Sequence, residues 1–222
     1  MARLLFLHGL LGQASDWDQV ITALDGDATA ITLPRLAVDN ISQYAEQLWQ
    51  QLDINEPVHL VGYSMGARIA MHWLKQPWVQ SAVFEAGHPG NGADAKRLAH
   101  DYDWADKLRK WPIHTWLEAW YQQGVFNGQT IDIDALASSI DPTLQAYFLR
   151  TLSVAKQADL TNLLAMKPVT YVTGECDQKY TRLAAKLPVS RHRIVAGAGH
   201  NIHASQPMAL AAEISQHLSE LT

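Results

Sequence analysis

A serine stands in a glycine-flanked pattern at the end of an apolar run. The run covers residues 58–61 and continues into residues 62–66, which read GYSMG, with a helical pattern directly after them. The order strand, G-x-S-x-G and helix is typical of a nucleophile elbow, a sharp turn that exposes a serine hydroxyl. Flanking glycines allow this turn because larger side chains would collide with the neighbouring strand or helix. The pattern therefore predicts that Ser64 is the reactive hydroxyl.

Two loops late in the chain carry the groups that would activate this serine. A serine hydroxyl needs an imidazole to accept its proton and an acid to orient that imidazole. Asp177 follows an apolar run at residues 169–173, and His200 follows another at residues 191–195. Both lie past the carboxyl end of a predicted strand, where open α/β sheets gather their catalytic loops. We predict a catalytic triad of Ser64, Asp177 and His200.

Each partner of the serine has an alternative close by in the chain. Glu175 is the alternative acid, and His203 is the alternative base. We prefer Asp177 and His200 because they end the glycine-bearing loops. His203 stands three residues further on and is expected only to line the site.

Backbone amides near the serine would stabilise a reaction intermediate. An oxygen that gains negative charge during a reaction needs preorganised donors aimed at it. The amide of Met65 comes directly after the serine, and the amide of Leu10 lies in the loop after the first apolar run. We therefore predict that Leu10 and Met65 form an oxyanion hole.

The scaffold that must position these groups alternates short apolar runs with helical patterns. This alternation predicts an α/β fold with a mostly parallel sheet and helices on both faces, and with the elbow it indicates the α/β-hydrolase fold. The expected strands cover residues 4–8, 28–33, 58–62, 81–86, 169–173 and 191–195. The expected helices cover residues 17–24, 41–52, 65–74 and 207–218.

One long segment interrupts the alternation. Residues 91–165 contain no convincing strand pattern and many aromatic residues. We predict a helical cap insertion there, within a single domain that covers residues 1–222. Most of its aromatic side chains are expected to pack in a core, and a few are expected to lie above the site.

Composition limits the possible partners and locations. The chain has 17 Lys and Arg against 22 Asp and Glu, a formal net charge of -5, which offers no electrostatic attraction for nucleic acid or anionic membranes. No apolar run approaches the ~20 residues that span a bilayer. The single cysteine, Cys176, excludes an internal disulfide and fits a reducing compartment. We expect a soluble, cytoplasmic protein with no nucleic acid partner and no membrane insertion, and the sequence predicts no oligomeric state.

Neither a metal nor a nucleotide cofactor is indicated by the motifs. The histidines show no H-x-x-x-H spacing, and no acidic cluster accompanies them. The glycine-rich patterns of dinucleotide and nucleotide triphosphate sites are also missing from the sequence. We expect a site without metal or cofactor.

Arg68 lies one helical turn beyond Ser64. The amino end of a helix disfavours a cation unless an anion compensates it. A small-molecule substrate that bears a carboxylate would supply this anion, and a structural carboxylate would do so equally well. The position alone does not separate the two explanations.

Beyond the elbow, the chain resembles the 2-succinyl-6-hydroxy-2,4-cyclohexadiene-1-carboxylate synthases of menaquinone biosynthesis. The matching segments are FLHG at 6–9, VGYSMGAR at 61–68, EAGHPG at 85–90, WYQQ at 120–123, GE at 174–175 and AGHN at 198–201. The elbow and the His-Gly pair occur throughout the superfamily. Arg68, the EAGHPG segment and the WYQQ segment are more particular to the synthases.

The resemblance implies an elimination and not a hydrolysis. These lyases remove pyruvate from 2-succinyl-5-enolpyruvyl-6-hydroxy-3-cyclohexene-1-carboxylate, with the triad serine acting as base on the carbon beside the succinyl ketone. By position, Ser64 would abstract that proton, and the Leu10 and Met65 amides would hold the enolate oxygen. The resemblance also implies that the substrate's three carboxylates and ring are bound by Tyr63, Arg68, Arg97, Trp120 and Lys179.

Three features depart from the pattern of the synthases. The chain begins at the strand before His8, without the usual first strands, so we expect an exposed sheet edge. Residues 33–36, LPRL, stand where relatives often have a glycine-rich turn, so that wall of the pocket is expected to differ. A third substrate arginine is not evident at residues 137–143, so either the substrate differs from that of the synthases or another cation, such as Arg150, takes this role.

Two other functions fit the same motifs. A small carboxylesterase or thioesterase would use Ser64 as an acylated nucleophile, and the triad alone does not distinguish acyl transfer from proton abstraction. A ligand-binding protein that keeps the fold without turnover is the other alternative. The complete set of triad and oxyanion residues argues against it.

Overall fold

In the described residues 3–24, 26–126 and 130–221 of this computed structural model, six strands form one sheet. They are β1 (Arg3–Leu7), β2 (Ala28–Ile31), β3 (Val58–Tyr63), β4 (Val79–Glu85), β5 (Val169–Gly174) and β6 (Arg191–Val195). The order across the sheet is β2-β1-β3-β4-β5-β6, and every neighbouring pair is parallel. The predicted parallel sheet is confirmed, and the partly exposed β2 forms one of its edges.

The helices follow in chain order and flank the strands. They are α1 (Asp18–Thr22), α2 (Ile41–Leu52), α3 (Met65–Met71), α4 (Ala95–Lys110), α5 (Ile113–Tyr121), α6 (Ile133–Ser139), α7 (Pro142–Thr151), α8 (Gln178–Ala184), α9 (Ile202–Ser205) and α10 (Pro207–Ser219). None of the described helices combines the length and the hydrophobicity that a bilayer crossing requires.

The strands are apolar at successive positions because both faces of the sheet are covered. In β1, Leu5 and Leu7 join a core formed with α2, α3 and α8. Leu4 and Phe6 point the opposite way and join a second core formed with α1 and α10. Successive side chains of a strand face opposite sides of a sheet, so a strand that is apolar throughout needs a helical layer on each side.

Two elements end earlier than their apolar patterns predict. β2 ends at Ile31 because the amide of Leu33 donates to Nε2 of His8, at 3.0 Å, and not to a neighbouring strand. α3 ends at Met71 and continues as a 3-10 turn to Lys75. The residue before a proline avoids helical backbone, and Pro77 imposes this restriction at the end of that turn.

The helix expected at residues 17–24 is also shorter and begins differently. A 3-10 turn, Ala14–Trp17, leads directly into α1. The side chain of Asp16 accepts from the amide of Gln13 at 3.0 Å and caps this turn. Helical structure therefore starts before the residue at which the apolar pattern begins.

Between β4 and β5 the chain forms helices α4 to α7 and short 3-10 turns, with no strand in residues 91–126 and 130–165. Trp116 and Trp120 stack with ring centroids 5.0 Å apart, and Trp104 meets them edge-on at 5.5 and 5.2 Å. These rings form the centre of a third apolar cluster, separate from the two beside the sheet. The extent of the cap insertion, residues 91–165, stays a prediction.

A buried histidine in the last helix makes the fold sensitive to acid. Nδ1 and Nε2 of His217 lie 2.8 Å from the hydroxyls of Thr170 and Ser81. Burial, followed by the nearby charges of His59 and Arg191, lowers the pKa of His217 to about 4. The same group titrates at about 6.5 in an unfolded chain. The unfolded state therefore binds more protons between these two values, and stability is lost as pH falls through that interval.

We expect the melting temperature to fall as pH is lowered from about 6.5 towards about 4. His217 should lower the free energy of unfolding by on the order of 3 kcal/mol over this interval. His217→Gln removes the titrating group and should flatten this dependence. Thermal unfolding of both proteins at several pH values measures the two slopes. Equal slopes would assign the acid sensitivity to other groups.

Candidate active site

Ser64 occupies a strained backbone position between β3 and α3. Its φ of 48° and ψ of -105° lie outside the regions that residues with side chains normally adopt. The Ser64 amide donates to the carbonyl oxygen of Glu85 at 2.8 Å, which ties the turn to β4. A Cβ on Gly66 would lie 2.3 Å from the carbonyl oxygen of Leu7, and a Cβ on Gly62 would collide with the first turn of α3. Both glycines are therefore required by close backbone packing.

Asp177 and His200 form a buried hydrogen-bonded pair. Asp177 caps α8 directly after β5, and its Oδ1 accepts from the amide of Tyr180 at 3.1 Å. Its Oδ2 lies 2.5 Å from Nδ1 of His200. Because the acid holds Nδ1, Nε2 is the ring nitrogen that can exchange a proton with a reacting group. His200 and Ser64 line the same pocket.

The loop after β1 passes directly over the elbow. A Cβ on Gly9 would lie 2.5 Å from the Tyr63 ring and 3.5 Å from Cβ of Ser64. The next residue, Leu10, lines the pocket together with Met65. Met65 is the first residue of α3, where amides have no acceptor within the helix. Both residues predicted to form the oxyanion hole thus lie beside the serine.

The side chain of His8 fixes the loop after β1 through two hydrogen bonds. Its Nε2 accepts from the amide of Leu33, so Nδ1 carries the proton and donates to the carbonyl oxygen of Gly9 at 2.7 Å. Burial lowers the pKa of His8, which favours the neutral ring that these two bonds require. Gln145 of α7 supplies another tie, because its Oε1 accepts from the Leu11 amide at 2.9 Å.

Arg68 faces the pocket and is held by neutral groups. Its Nε donates to Oε1 of Gln157 at 2.7 Å, and its Nη2 donates to the carbonyl oxygen of Leu152 at 2.5 Å. Asp101 acts on this charge from a distance but forms its ion pair with Arg97. Burial lowers the pKa of Arg68 to about 10, so the guanidinium keeps its charge at neutral pH. Such a cation is suited to a carboxylate brought by a ligand.

Arg97, on α4, is paired with a buried acid that the sequence analysis missed. Its Nε lies 2.8 Å from Oδ1 of Asp101, and Oδ2 of Asp101 accepts from the hydroxyl of Ser153 at 2.7 Å. All three residues line the pocket. The spacing of four residues on one helix was the only sequence signal for this pair. A ligand carboxylate must compete with Asp101 for the Arg97 guanidinium.

Tyr63 and Trp120 also line the pocket. The Tyr63 hydroxyl donates to Oδ1 of Asn201, which is the residue after His200. Trp120 is one of several apolar residues from the helical segment between β4 and β5 that line this pocket. They are Trp120, Tyr121, Phe126, Phe148, Leu149 and Leu152. A few aromatic side chains of this segment therefore lie above the serine, as the sequence predicts.

Lys179 lines a neighbouring cavity beside Asp177 and is not among the residues that line the pocket of Ser64. Burial, and then the charge of Arg97, lowers the pKa of its amine. The amine is therefore within electrostatic reach of Arg97, although it lines the cavity beside Asp177 and not the pocket itself.

Several other sequence candidates lie away from the pocket. Arg150 pairs with Asp106 and lies over the Tyr102 ring at 4.7 Å, so it does not supply a third cation to the described pocket. Residues 33–36 do not line this pocket either. Glu175 is exposed, and its carboxylate accepts from the amide of Gly197 at 2.8 Å.

His203 is buried and pairs with Glu85. It lines a separate cavity on the other side of Tyr63 and not the pocket of Ser64, contrary to expectation. Glu85 was missed as a separate residue, although it opens the EAGHPG segment. Across the described part of the chain, no group of three or more His, Cys, Asp and Glu side chains is placed to hold a metal ion.

Structural similarity shows the fold. The chain superposes on a structure of MenH from S. aureus with a TM-score of 0.88 and 23% identity, covering 99% of this chain and 94% of that one. A malate-bound thermophilic esterase from Thermogutta terrifontis gives a TM-score of 0.79 and 16% identity, covering 100% and 90%. Enzymes with different names therefore share this scaffold.

Sequence similarity assigns the family. Residues 4–213 match the model of the alpha/beta hydrolase family. The chain is 34% identical to the 2-succinyl-6-hydroxy-2,4-cyclohexadiene-1-carboxylate synthase of Enterobacter sp. (strain 638), covering 97% of this chain and 91% of the relative. A protein of the same name from Klebsiella pneumoniae subsp. pneumoniae is 33% identical, with 97% and 93% covered. The chain belongs to the alpha/beta hydrolase family and, within it, to the 2-succinyl-6-hydroxy-2,4-cyclohexadiene-1-carboxylate synthase family.

Proposed function

We propose that this enzyme is a lyase that eliminates pyruvate from 2-succinyl-5-enolpyruvyl-6-hydroxy-3-cyclohexene-1-carboxylate to give 2-succinyl-6-hydroxy-2,4-cyclohexadiene-1-carboxylate. Relatives at 33% and 34% identity carry the name of the synthase of this product. The observation that carries the proposal is Arg68, a partly buried guanidinium held by neutral acceptors one helical turn beyond Ser64. No described carboxylate forms an ion pair with it, since Asp101 pairs with Arg97. An anionic substrate therefore suits this cation better than a neutral ester, which would leave its charge uncompensated.

The first step removes the proton from the ring carbon that bears the succinyl ketone. Nε2 of His200 accepts the proton of Ser64, and the serine oxygen removes the carbon-bound proton. Asp177 orients the imidazole and stabilises it once it is charged. The electron pair moves onto the ketone oxygen, where the amides of Leu10 and Met65 donate hydrogen bonds.

Collapse of this enolate completes the elimination. The ketone re-forms, a double bond appears between C2 and C3, and the ring double bond moves from C3–C4 to C4–C5. The bond between C5 and the enolpyruvyl oxygen breaks as the C4–C5 double bond forms, and its electron pair leaves on that oxygen. The abstracted proton passes to the departing enolate, which becomes pyruvate, so the balance requires neither water nor an acylated serine.

Two arginines are proposed as ligands for the substrate carboxylates. Arg68 is supported by its neutral surroundings, and Arg97 by its place in the pocket on α4. Tyr63 and Trp120 are proposed to contact the ring, and Lys179 to add positive potential from its neighbouring cavity. Bidentate arginine suits carboxylates because its fork matches their geometry.

The test is pyruvate release from the enolpyruvyl substrate by the purified protein, followed with lactate dehydrogenase as the coupling enzyme. A p-nitrophenyl ester and a short acyl thioester are assayed in parallel. We expect pyruvate release with a kcat/KM well above that for either ester. A burst of nitrophenol followed by steady ester turnover, with no pyruvate formed, would instead support the carboxylesterase or thioesterase alternative.

A cytoplasmic location is proposed together with this activity. It is supported by the single cysteine, which fits a reducing compartment. Fractionation of the source cells, with the protein followed by immunoblot, tests this proposal.

A further inference from the structure

A buried ion pair lies behind the proposed triad and outside the pocket. Nδ1 of His203, in α9, lies 3.0 Å from both carboxylate oxygens of Glu85 at the end of β4. The two side chains are 5% and 1% exposed, and neither lines the pocket of Ser64. Burying charges costs free energy. Because this pair does not line the pocket, contact with substrate does not explain why it is present.

Glu85 connects the serine turn to the histidine loop. Its backbone oxygen accepts from the Ser64 amide at 2.8 Å. Its Oε1 accepts from the amides of Ile202 and His203, in the segment that directly follows His200. A single residue therefore holds the backbone on both sides of the proposed proton transfer.

The surroundings of His203 favour its charged form. Its ring contacts those of Trp17 and Tyr63, with centroids 4.8 and 4.5 Å away, within the distance at which an aromatic ring attracts a cation. Burial alone would lower the pKa of His203, but the charge and hydrogen bond of Glu85, with help from Asp16, outweigh burial and raise it.

The other groups that face this imidazole come from neighbouring elements. They are Asp16 in the 3-10 turn before α1, Tyr63 in β3 and His8 after β1. Burial favours the uncharged form of both His8 and Tyr63. Among these groups, the carboxylates of Glu85 and Asp16 are therefore the ones that compensate the imidazolium.

We infer that the Glu85–His203 ion pair is a positioning device that fixes the His200 imidazole relative to the Ser64 hydroxyl. Two peptide units separate His200 from the amide that Glu85 holds at Ile202. A shift of this loop moves the imidazole, and a misplacement of about 1 Å is enough to cost roughly a hundredfold in rate. The inference rests on the triad proposed above, and it does not depend on the identity of the substrate.

The test compares Glu85→Gln, His203→Gln and the double variant with the wild-type enzyme. Glu85→Gln keeps an oxygen for the two backbone amides and removes the charge. We expect kcat for pyruvate release to fall about 10- to 100-fold, with KM changed less than about threefold, because the pocket residues stay in place. The double variant should lose less than the product of the two single losses, since an amide pair can replace the ion pair.

Two controls separate positioning from general destabilisation. His217→Gln removes another buried, hydrogen-bonded histidine, and Glu56→Gln makes the same Glu-to-Gln change at an exposed site. Both should keep wild-type kcat, even where His217→Gln lowers the melting temperature. The inference is overturned if Glu85→Gln keeps kcat within about threefold of wild type, or if its loss appears only in KM.

The rate of covalent labelling of Ser64 by a fluorophosphonate gives a second readout that needs no natural substrate. We expect this rate to fall in Glu85→Gln in parallel with kcat, because labelling requires the same imidazole. Wild-type enzyme that is labelled quickly but releases no pyruvate would refute the proposed function. The inference would then be decided by the labelling rate of Glu85→Gln relative to that of wild type. Equal labelling of Glu85→Gln and wild type overturns the inference.

Discussion

Replacing Ser64 with alanine is expected to lower kcat for pyruvate release by about a thousandfold or more, since loss of the serine in related triads costs at least this factor. Alanine keeps the Cβ and the backbone strain of the turn, so the melting temperature should stay close to that of wild type. Arg68 and Arg97 are untouched, which leaves KM little changed. Steady-state kinetics with a long incubation and high enzyme concentration measures the residual rate.

The matched control is Ser138→Ala, on α6, where the hydroxyl is exposed and bonds only to the carbonyl oxygen of Ala135 among its described contacts. It should retain full activity. A Ser64→Ala enzyme within about tenfold of wild type would mean that another group removes the proton. His200 would then be the first candidate, acting directly on the substrate from the same pocket.

Replacing Arg68 with alanine is expected to lower kcat/KM by about a hundredfold or more, because truncating one partner of a buried charged hydrogen bond costs about 2–5 kcal/mol. Its intramolecular partners are the neutral oxygens of Gln157 and Leu152, so the folded protein gains little from the charge. We therefore expect a small change in the melting temperature. Coupled pyruvate assays and thermal unfolding of the same preparation measure both effects.

Arg150→Ala is the control for this change, because Arg150 pairs with Asp106 outside the described pocket. It should leave kcat/KM unchanged. A large drop in melting temperature for Arg68→Ala, with kcat/KM close to wild type, would assign Arg68 to the structure and remove the main support for an anionic substrate.

Local patterns in the sequence were sufficient to predict which residues the structure brings together at the centre of the candidate site. The elbow could be predicted because its turn depends on two nearby glycines, and each steric conflict they avoid lies within a few residues or on the adjacent strand. Asp177 and His200 could be predicted because each follows a recognisable strand at the same edge of the sheet. Parallel strands bring such loops together whatever their distance in sequence.

Contacts between distant segments could not be predicted from the same patterns. Arg68 bonds to Gln157, 89 positions away, and Glu85 pairs with His203, 118 positions away. These partners are brought together by the packing of helices and loops around the sheet, and no spacing rule encodes that packing. For the same reason the sequence suggests Arg150 as a third cation for the substrate, although it pairs with Asp106 outside the described pocket.

The bond between Gln145 and the Leu11 amide couples the helices over the pocket to the loop that carries Leu10. Both partners are buried, so breaking the bond would leave a buried amide without its acceptor at a cost of about 1–3 kcal/mol. Lifting α7 away from the sheet therefore strains the Leu10 donor. The packing of α7 and the position of the Leu10 amide are thus mechanically linked, although Gln145 and Leu11 stand 134 positions apart in the chain.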